Sequence, residues 1–289
     1  MLTLKAPAKI NWFLNVLGKR NDGYHDIVSL MQWVDLCDSL AIDHSDKVEV
    51  VSESGIRTED NLVYKAAMLI KEKAGIGAGV RIVLKKEVPM AAGMGGGSSD
   101  AAFTVMGLNR HWGLNMGLRE LAGLGAMLGS DVPFFFHGPS SVIEGRGEVV
   151  SPVKVRRSYV LLLVKPPVEV STAWAYSEID RHLSSFSPGE ELTKKDNNIK
   201  LFCRALEDGD FALLSSIRGN DFESVTVSKY PVIGDIKHGL LKRGALFAAM
   251  SGSGPTVFGV FASEQRAKEA MRQMLPNWCR VVKTVTSDE

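Results

Sequence analysis

Between Pro89 and Asp100 the chain reads Pro89-Met90-Ala91-Ala92-Gly93-Met94-Gly95-Gly96-Gly97-Ser98-Ser99-Asp100. Consecutive glycines let a ligand approach the backbone N–H groups with no Cβ in the way. Serines are good helix caps, so a helix is expected to start at Ser98 or Ser99 and to run through Ala101, Ala102, Val105, Met106 and Leu108. A helix N-terminus offers orphan N–H donors and a partial positive charge. Loop first and helix start second is therefore an order that suits phosphate. The stretch is not a Walker A loop, since no Gly-Lys-Ser/Thr ends it. The dinucleotide fingerprint would need a glycine where Ser98 stands. Taken alone, three glycines also fit a plain turn kept for packing.

Other residues could carry chemistry. Lys9 and Asn11 lie two apart on one face of a strand, where the pattern alone suggests a solvated polar face. Asp131 sits in the break Gly129-Ser130-Asp131-Val132-Pro133, where an aspartate also serves as a helix stop or turn residue. Tyr24 and His25 follow the turn Arg20-Asn21-Asp22-Gly23, a place where such a pair is otherwise packing or surface. Tyr176 also fits a helical core aromatic, and Asn61 and Leu62 an ordinary cap and core residue. The histidines outside the Tyr24-His25 pair show no ligand spacing.

The elements that must position these groups alternate between strand and helix. Ala6 to Val16 has period two, which predicts a strand with one buried face. Strands are expected at Ile27–Ile42, Val48–Val51, Val80–Leu84, Ser141–Arg146 and Val149–Val153, and helices at Asn61–Lys73 and Leu118–Leu128. After residue 155, a buried strand is expected at Tyr159–Val164, then a helix capped by Ser171-Thr172. Helical segments follow at Ile199–Glu207, Phe211–Ile217 and Val232–Arg243. Strands Leu246–Met250, Thr256–Phe261 and Arg280–Thr284 and a helix Ser263–Met274 complete the chain. This interleaving predicts two α+β domains, 1–155 and 156–289.

At 289 residues, two domains agree with the usual domain size. Hydrophobic residues make up 45% and charged residues 23%, which argues against a disordered or fibrous chain. The formal net charge of +1 supplies no global field for nucleic acid or an anionic membrane. No leader and no membrane-spanning run is expected. Cys37, Cys203 and Cys279 lie far apart and suggest neither a metal site nor a disulfide framework, so a reducing, cytoplasmic setting is expected.

Three blocks in chain order resemble the GHMP small-molecule kinases. They are Lys5-Ala6-Pro7-Ala8-Lys9-Ile10-Asn11, the loop Pro89 to Asp100, and Ser251-Gly252-Ser253-Gly254-Pro255-Thr256. The blocks Asp22-Gly23-Tyr24-His25 and Gly129 to Phe135 narrow the likeness to members whose acceptor carries a cytidine diphosphate. Trp12 and Met94 stand where the pattern usually has leucine, both apolar exchanges. The resemblance implies an N-terminal domain like the second domain of ribosomal protein S5 and a ferredoxin-like C-terminal domain. It implies ATP-dependent phosphorylation of the 2-hydroxyl of a cytidine-diphosphate-linked methylerythritol, on a bacterial route to isoprenoids. By the same resemblance Asp131 is the general base and Lys9 its partner. Asn11, Tyr24, His25 and Tyr176 meet the substrate, the base lying against the tyrosines. Pro89, Gly93, Met94, Gly95, Gly96, Gly97, Ser98 and Ser99, with Asn61 and Leu62 near adenine, hold ATP. Mg²⁺ is expected with the nucleotide, with no protein ligand assigned, and the chain is expected as a monomer or weak homodimer. The alternatives are a GHMP kinase for mevalonate, homoserine or a sugar, and a catalytically silent nucleotide-binding regulator.

Overall fold

The computed structural model describes residues 1–53, 55–183, 188–217 and 219–287. Strands β1 (Leu2–Lys19) and β2 (His25–Ser45) pair with each other and are joined by the turn at 20–24. The chain divides into two compact units that do not follow its order. The first comprises Met1–Ala8, Leu36–Met90 and Gly95–Gly138. The second comprises Lys9–Asp35, Ala91–Met94 and Pro139–Glu289.

In the first unit, β3 (Val48–Ser52) is followed by α1 (Leu62–Lys73) and β4 (Gly79–Lys85). β4 runs antiparallel to the end of β2, with Ser39 opposite Lys85, and parallel to β3, with Val48 opposite Val80. Helices α2 (Gly96–His111) and α3 (Leu118–Leu128) follow, then a 3-10 turn at Pro133–Phe136. α1 packs on α2, and both helices bury small and branched side chains, Val63, Ala66 and Ala67 on one and Ala101, Ala102 and Val105 on the other. α2 lies close to its sheet: a Cβ at Gly107 would come within 2.5 Å of Ile42 and 2.6 Å of Leu4.

In the second unit, β5 (Ser140–Gly145) pairs antiparallel with the start of β2 and with β6 (Val149–Pro152). The chain then passes through β7 (Val160–Lys165), α4 (Thr172–Leu183), α5 (Pro188–Asp208), α6 (Phe211–Ser216), α7 (Asp221–Lys229) and α8 (Pro231–Lys242). It ends with β8 (Phe247–Met250), β9 (Val257–Phe261), α9 (Glu264–Arg272) and β10 (Trp278–Lys283). The sheet order β10-β7-β9-β8, antiparallel throughout, is that of a ferredoxin-like domain with extra helices after its first strand.

Three expectations need correction. β1 is not half-solvated: every residue from Ala6 to Val16 is buried. Its two faces meet different aromatics of the second unit. Trp12 packs edge-on against Tyr159 with ring centroids 5.5 Å apart, and Phe13 lies 5.4 Å from Phe202. The alternation in β1 is one of polarity, not exposure. Second, α2 starts at Gly96, before either serine. Gly95 caps it in the left-handed conformation, φ 66°, which glycine adopts without a Cβ penalty. Ser98 and Ser99 therefore sit in the first turn. Third, α7 was not expected. Its centre, Val225-Thr226-Val227, is β-branched and weakly periodic. Yet Asn220 caps it through Phe222 N, with Asp221 and Glu223 in its first turn.

Candidate active site

β1 brings Lys9 and Asn11 to one face, and both are buried, at 3% and 1% exposure. Lys9 Nζ donates to Asn11 Oδ1 at 2.5 Å and to the Gly93 carbonyl at 3.0 Å. The Lys9 backbone N–H donates to the Met94 carbonyl at 2.9 Å, so strand and glycine-rich loop are joined at both backbone and side chain. Asn11 in turn donates from Nδ2 to Ser29 Oγ at 2.8 Å. The solvated face expected from the pattern is thus a closed polar network. Burial of an ammonium is costly unless polar acceptors surround it.

The loop 251–255 completes this constellation. Ser251 Oγ donates to the Gly93 carbonyl at 3.0 Å and accepts from the Asn11 backbone N–H at 3.2 Å. Gly93 has no room for a side chain: a Cβ would lie 2.3 Å from the Ser251 carbonyl oxygen and 2.9 Å from that of Gly254. Asn220 holds the same loop, donating to the carbonyls of Met250 (2.8 Å) and Gly252 (2.9 Å). Its neighbour Asp221 accepts from the Val16 backbone N–H at 2.8 Å. Neither residue was expected in the site. Their signal was the helix cap, which marks a start but not a partner.

A second constellation gathers around His25. Its ring stacks on Tyr176, with centroids 4.4 Å apart and planes 18° from parallel. Its Nε2 lies 2.6 Å from Asp180 Oδ1, and Lys19 Nζ donates to Asp180 Oδ2 at 2.7 Å. Tyr176 and Asp180 are one helical turn apart on α4, so one helix supplies both contacts. Partial burial acts to raise the Asp180 carboxyl. The hydrogen bonds from Lys19 and His25 outweigh it and hold the group below its ordinary value. Asp180 is then ionised at neutral pH and accepts, which places a proton on His25 Nε2. Tyr24 is not drawn in. It is 50% exposed, and the Arg146 guanidinium lies 4.9 Å from its ring centroid.

In the first unit, Gly96, Gly97, Ser98 and Ser99 form the opening turn of α2, the helix end whose free N–H groups suit an anion. The Ser99 hydroxyl is buried without a hydrogen-bond partner among the described residues. Asn61 caps α1 through Val63 N at 2.9 Å, and Leu62 Cδ1 approaches the Cβ position of Gly97 to 3.5 Å. Pro89 is half-buried in the loop before α2, and Asp131 is half-buried in the turn after α3.

The first unit also holds a charged cluster that the sequence does not announce. Lys86 bridges Asp38 and Asp100, donating to Asp100 Oδ2 at 2.7 Å. Asp38 is fully buried and also accepts from the backbone N–H groups of Glu87 (2.6 Å) and Val88 (2.9 Å), just before Pro89. Burial, and secondarily the Asp38 charge, push the Asp100 carboxyl up to about 7, against the pull of Lys86. Burial lowers the Lys86 ammonium, but its two carboxylate partners prevail and leave it raised. Among the described residues, no group of three His, Cys, Asp or Glu is placed to hold a metal ion.

Comparisons with known proteins identify the family. The model of the GHMP kinases N terminal domain matches residues 61–139, and that of the GHMP kinases C terminal domain matches residues 199–280. The chain is 47% identical over 285 residues to a 4-diphosphocytidyl-2-C-methyl-D-erythritol kinase of Thermodesulfovibrio yellowstonii, covering 99% of this chain and 98% of that one. It is 40% identical to the enzyme of that name from Geobacter metallireducens, covering 94% of each chain. A crystal structure of a 4-(cytidine 5'-diphospho)-2C-methyl-D-erythritol kinase superposes with a TM-score of 0.81 at 28% identity, over 98% of this chain and 99% of that one.

Proposed function

The chain belongs to the GHMP kinases, within the group of 4-diphosphocytidyl-2-C-methyl-D-erythritol kinases, and on that footing we propose that it transfers the γ-phosphoryl group of ATP to the 2-hydroxyl of 4-(cytidine 5'-diphospho)-2-C-methyl-D-erythritol. The products are ADP and the 2-phosphate. The observation that carries the reading is the buried Lys9 ammonium, tied to the carbonyl of Gly93 in a phosphate-type loop. The nucleotide-side portion lies in 1–155 and the substrate-side portion in 156–289, the two family models falling on either side of that boundary.

The acceptor oxygen attacks the γ-phosphorus while the bond from that phosphorus to the β,γ-bridging oxygen breaks. Asp131 takes the hydroxyl proton onto its carboxylate. Lys9 stabilises charge on the transferring group, with Asn11 fixing its ammonium. The opening turn of α2, Gly96 to Ser99, receives phosphate oxygens on its N–H groups. Pro89, Gly93, Met94 and Gly95 shape the approach to that turn, and Asn61 and Leu62 border adenine. His25 and Tyr176, with Tyr24, receive the cytosine, where stacking on an aromatic contributes about 1–3 kcal/mol per base. Among the described residues no group of three His, Cys, Asp or Glu offers a dedicated Mg²⁺ cage. Mg²⁺ is assigned to the nucleotide's phosphates and water. The substrate is a small molecule, and no helix among the described residues is long and apolar enough to cross a membrane. We place the enzyme in the bacterial cytoplasm as a monomer or weak homodimer.

The test is ADP release with Mg-ATP and, in turn, the cytidine compound, mevalonate and homoserine. Turnover is expected with the cytidine compound alone. Turnover with another acceptor would overturn the substrate assignment, and ATP binding without any turnover would favour a silent regulator. Asp131→Asn is expected to lose about 10²–10⁴-fold in turnover, the usual contribution of a general base, while keeping ATP affinity. Near-normal turnover would remove Asp131 from that role.

A further inference from the structure

The cluster of Asp38, Lys86 and Asp100 has one more carboxyl than its single ammonium can balance. All three sit inside the first unit, and among the described residues the charged groups that face Asp100 are Asp38 from β2 and Lys86, which follows β4. The other elements packed on α2 turn apolar surfaces inward: Val63, Ala66, Ala67 and Ile70 from α1, Leu121 and Leu124 from α3, and Pro133 to Phe136 from the turn beyond. The register explains the meeting. Ser39 stands opposite Lys85 across β2 and β4, which sets Asp38 beside Lys86. Lys86 also closes on α2: its Nζ lies 3.2 Å from where a Cβ of Gly96 would be, so Gly96 leaves the room the ammonium uses.

The two carboxyls are not equivalent. Asp38 has three donors, two of them backbone N–H groups that cannot leave. Asp100 has one cationic donor, Lys86, on Oδ2, with the Asp38 carboxyl beside it, while its Oδ1 is buried with no hydrogen-bond partner among the described residues. A bare buried carboxylate oxygen is the costlier form, so the extra proton belongs to Asp100. That residue is 2% exposed and begins the second turn of α2, about 6 Å along the helix from Gly96 at ~1.5 Å rise per residue. An anion held at the N-terminus of α2 and an ionised Asp100 would therefore repel across protein interior, where screening by salt is weak.

We propose that Asp100, set by Lys86 and Asp38, is a proton-linked positioning residue for the nucleotide, and that the enzyme takes up a proton at the Asp100 carboxyl when the phosphates occupy the N-terminus of α2. The idea rests on the kinase reading only in naming the anion. The sign follows from linkage. Asp100 titrates near neutrality in the free protein, and the anion raises it further in the complex. The complex then holds more protons than the free protein, so affinity falls as pH rises above about 7.

The experiment measures ADP affinity from pH 6 to 8.5 for the wild type and Asp100→Asn, whose amide copies the neutral carboxyl. Titration of the nucleotide's own phosphates is common to both proteins and cancels in the ratio of affinities. The expected ratio is near one at pH 6, with the wild type weakened about five- to twenty-fold relative to the variant by pH 8.5. A ratio flat across this range, or one that favours the wild type at high pH, would overturn the proposal while leaving the kinase reading intact. Absence of ADP binding at every pH would overturn both. Should Asp100→Asn fail to fold, the wild type suffices. Calorimetry of ADP binding at pH 7.5 in two buffers of different ionisation enthalpy reads proton uptake directly, after subtraction of the nucleotide's own change. Zero or negative uptake sinks the idea.

Discussion

Gly93→Ala tests whether the carbonyl of the glycine-rich loop holds the Lys9 network in place. Gly93 has φ +71°, in the left-handed region, where a Cβ costs about 1–2 kcal/mol. The new Cβ would also lie 2.3 Å and 2.9 Å from the carbonyl oxygens of Ser251 and Gly254, which are backbone atoms and cannot rotate away. The loop must move, and the Gly93 carbonyl moves with it. That carbonyl accepts from Lys9 Nζ and from Ser251 Oγ, both at 3.0 Å. Losing a hydrogen bond to a charged group costs about 1.5–3 kcal/mol and a neutral one about 1 kcal/mol. The expected destabilisation is about 3.5–6 kcal/mol. Gly244→Ala is the control. Gly244 also lies in the second unit with positive φ, +88°, but a Cβ there meets nothing within 4 Å. It should show the backbone strain alone, about 1–2 kcal/mol, with full turnover. The assay is urea unfolding of the three proteins, with steady-state turnover of each under native conditions. Turnover of Gly93→Ala should fall at least about ten-fold, as displaced Lys9 no longer meets the transferring phosphoryl group. Equal destabilisation of both variants, or full turnover in Gly93→Ala, would refute the reasoning.

Two further outcomes follow from the geometry. Asp180→Asn removes the carboxylate that holds His25 Nε2 and Lys19 Nζ, so KM for the cytidine substrate should rise about ten-fold with KM for ATP unchanged; equal effects on both substrates in steady-state kinetics would detach Asp180 from the cytosine side. Burial pushes the Cys203 and Cys279 thiols up to about 11, so iodoacetamide at pH 8 should modify both at least about 100-fold more slowly than free cysteine; labelling at the rate of free cysteine, read by peptide mass, would contradict that burial.

Much of the fold is legible locally, because period and caps are local properties. β7 and β9 show as apolar runs between turns, and Asn61 marks the start of α1 as its cap. What stays hidden depends on remote partners. Lys9 and Asn11 look like a wet strand face until Ser251, 240 positions from Asn11, and Gly93, 84 from Lys9, close over them. The start of α2 was ambiguous because serine side chains and a left-handed glycine are rival solutions to the same capping problem. α7 carries cap residues, but its β-branched centre, Val225, Thr226 and Val227, gives little helical period. The Asp38–Lys86–Asp100 cluster has no local signal, since its members come from the interior of β2, the residue after β4, and α2.

Two carboxylates, Asp180 of the second unit and Asp100 of the first, show why partner count decides what an acid can do. Asp180 is only partly buried and has two donors of its own, Lys19 and His25, so its charge is stable and its shift is downward. A carboxylate fixed in its ionised form keeps accepting from the imidazole N–H. Asp100 is buried more deeply and shares one ammonium with a better-supplied neighbour, so its shift is upward, to about 7. A group poised there answers to any new charge nearby. Both residues stand next to groups the family resemblance marks, Asp180 beside His25 and Asp100 after Ser99. The resemblance assigns neither of them a role, because their roles are set by burial and by the number of donors each keeps.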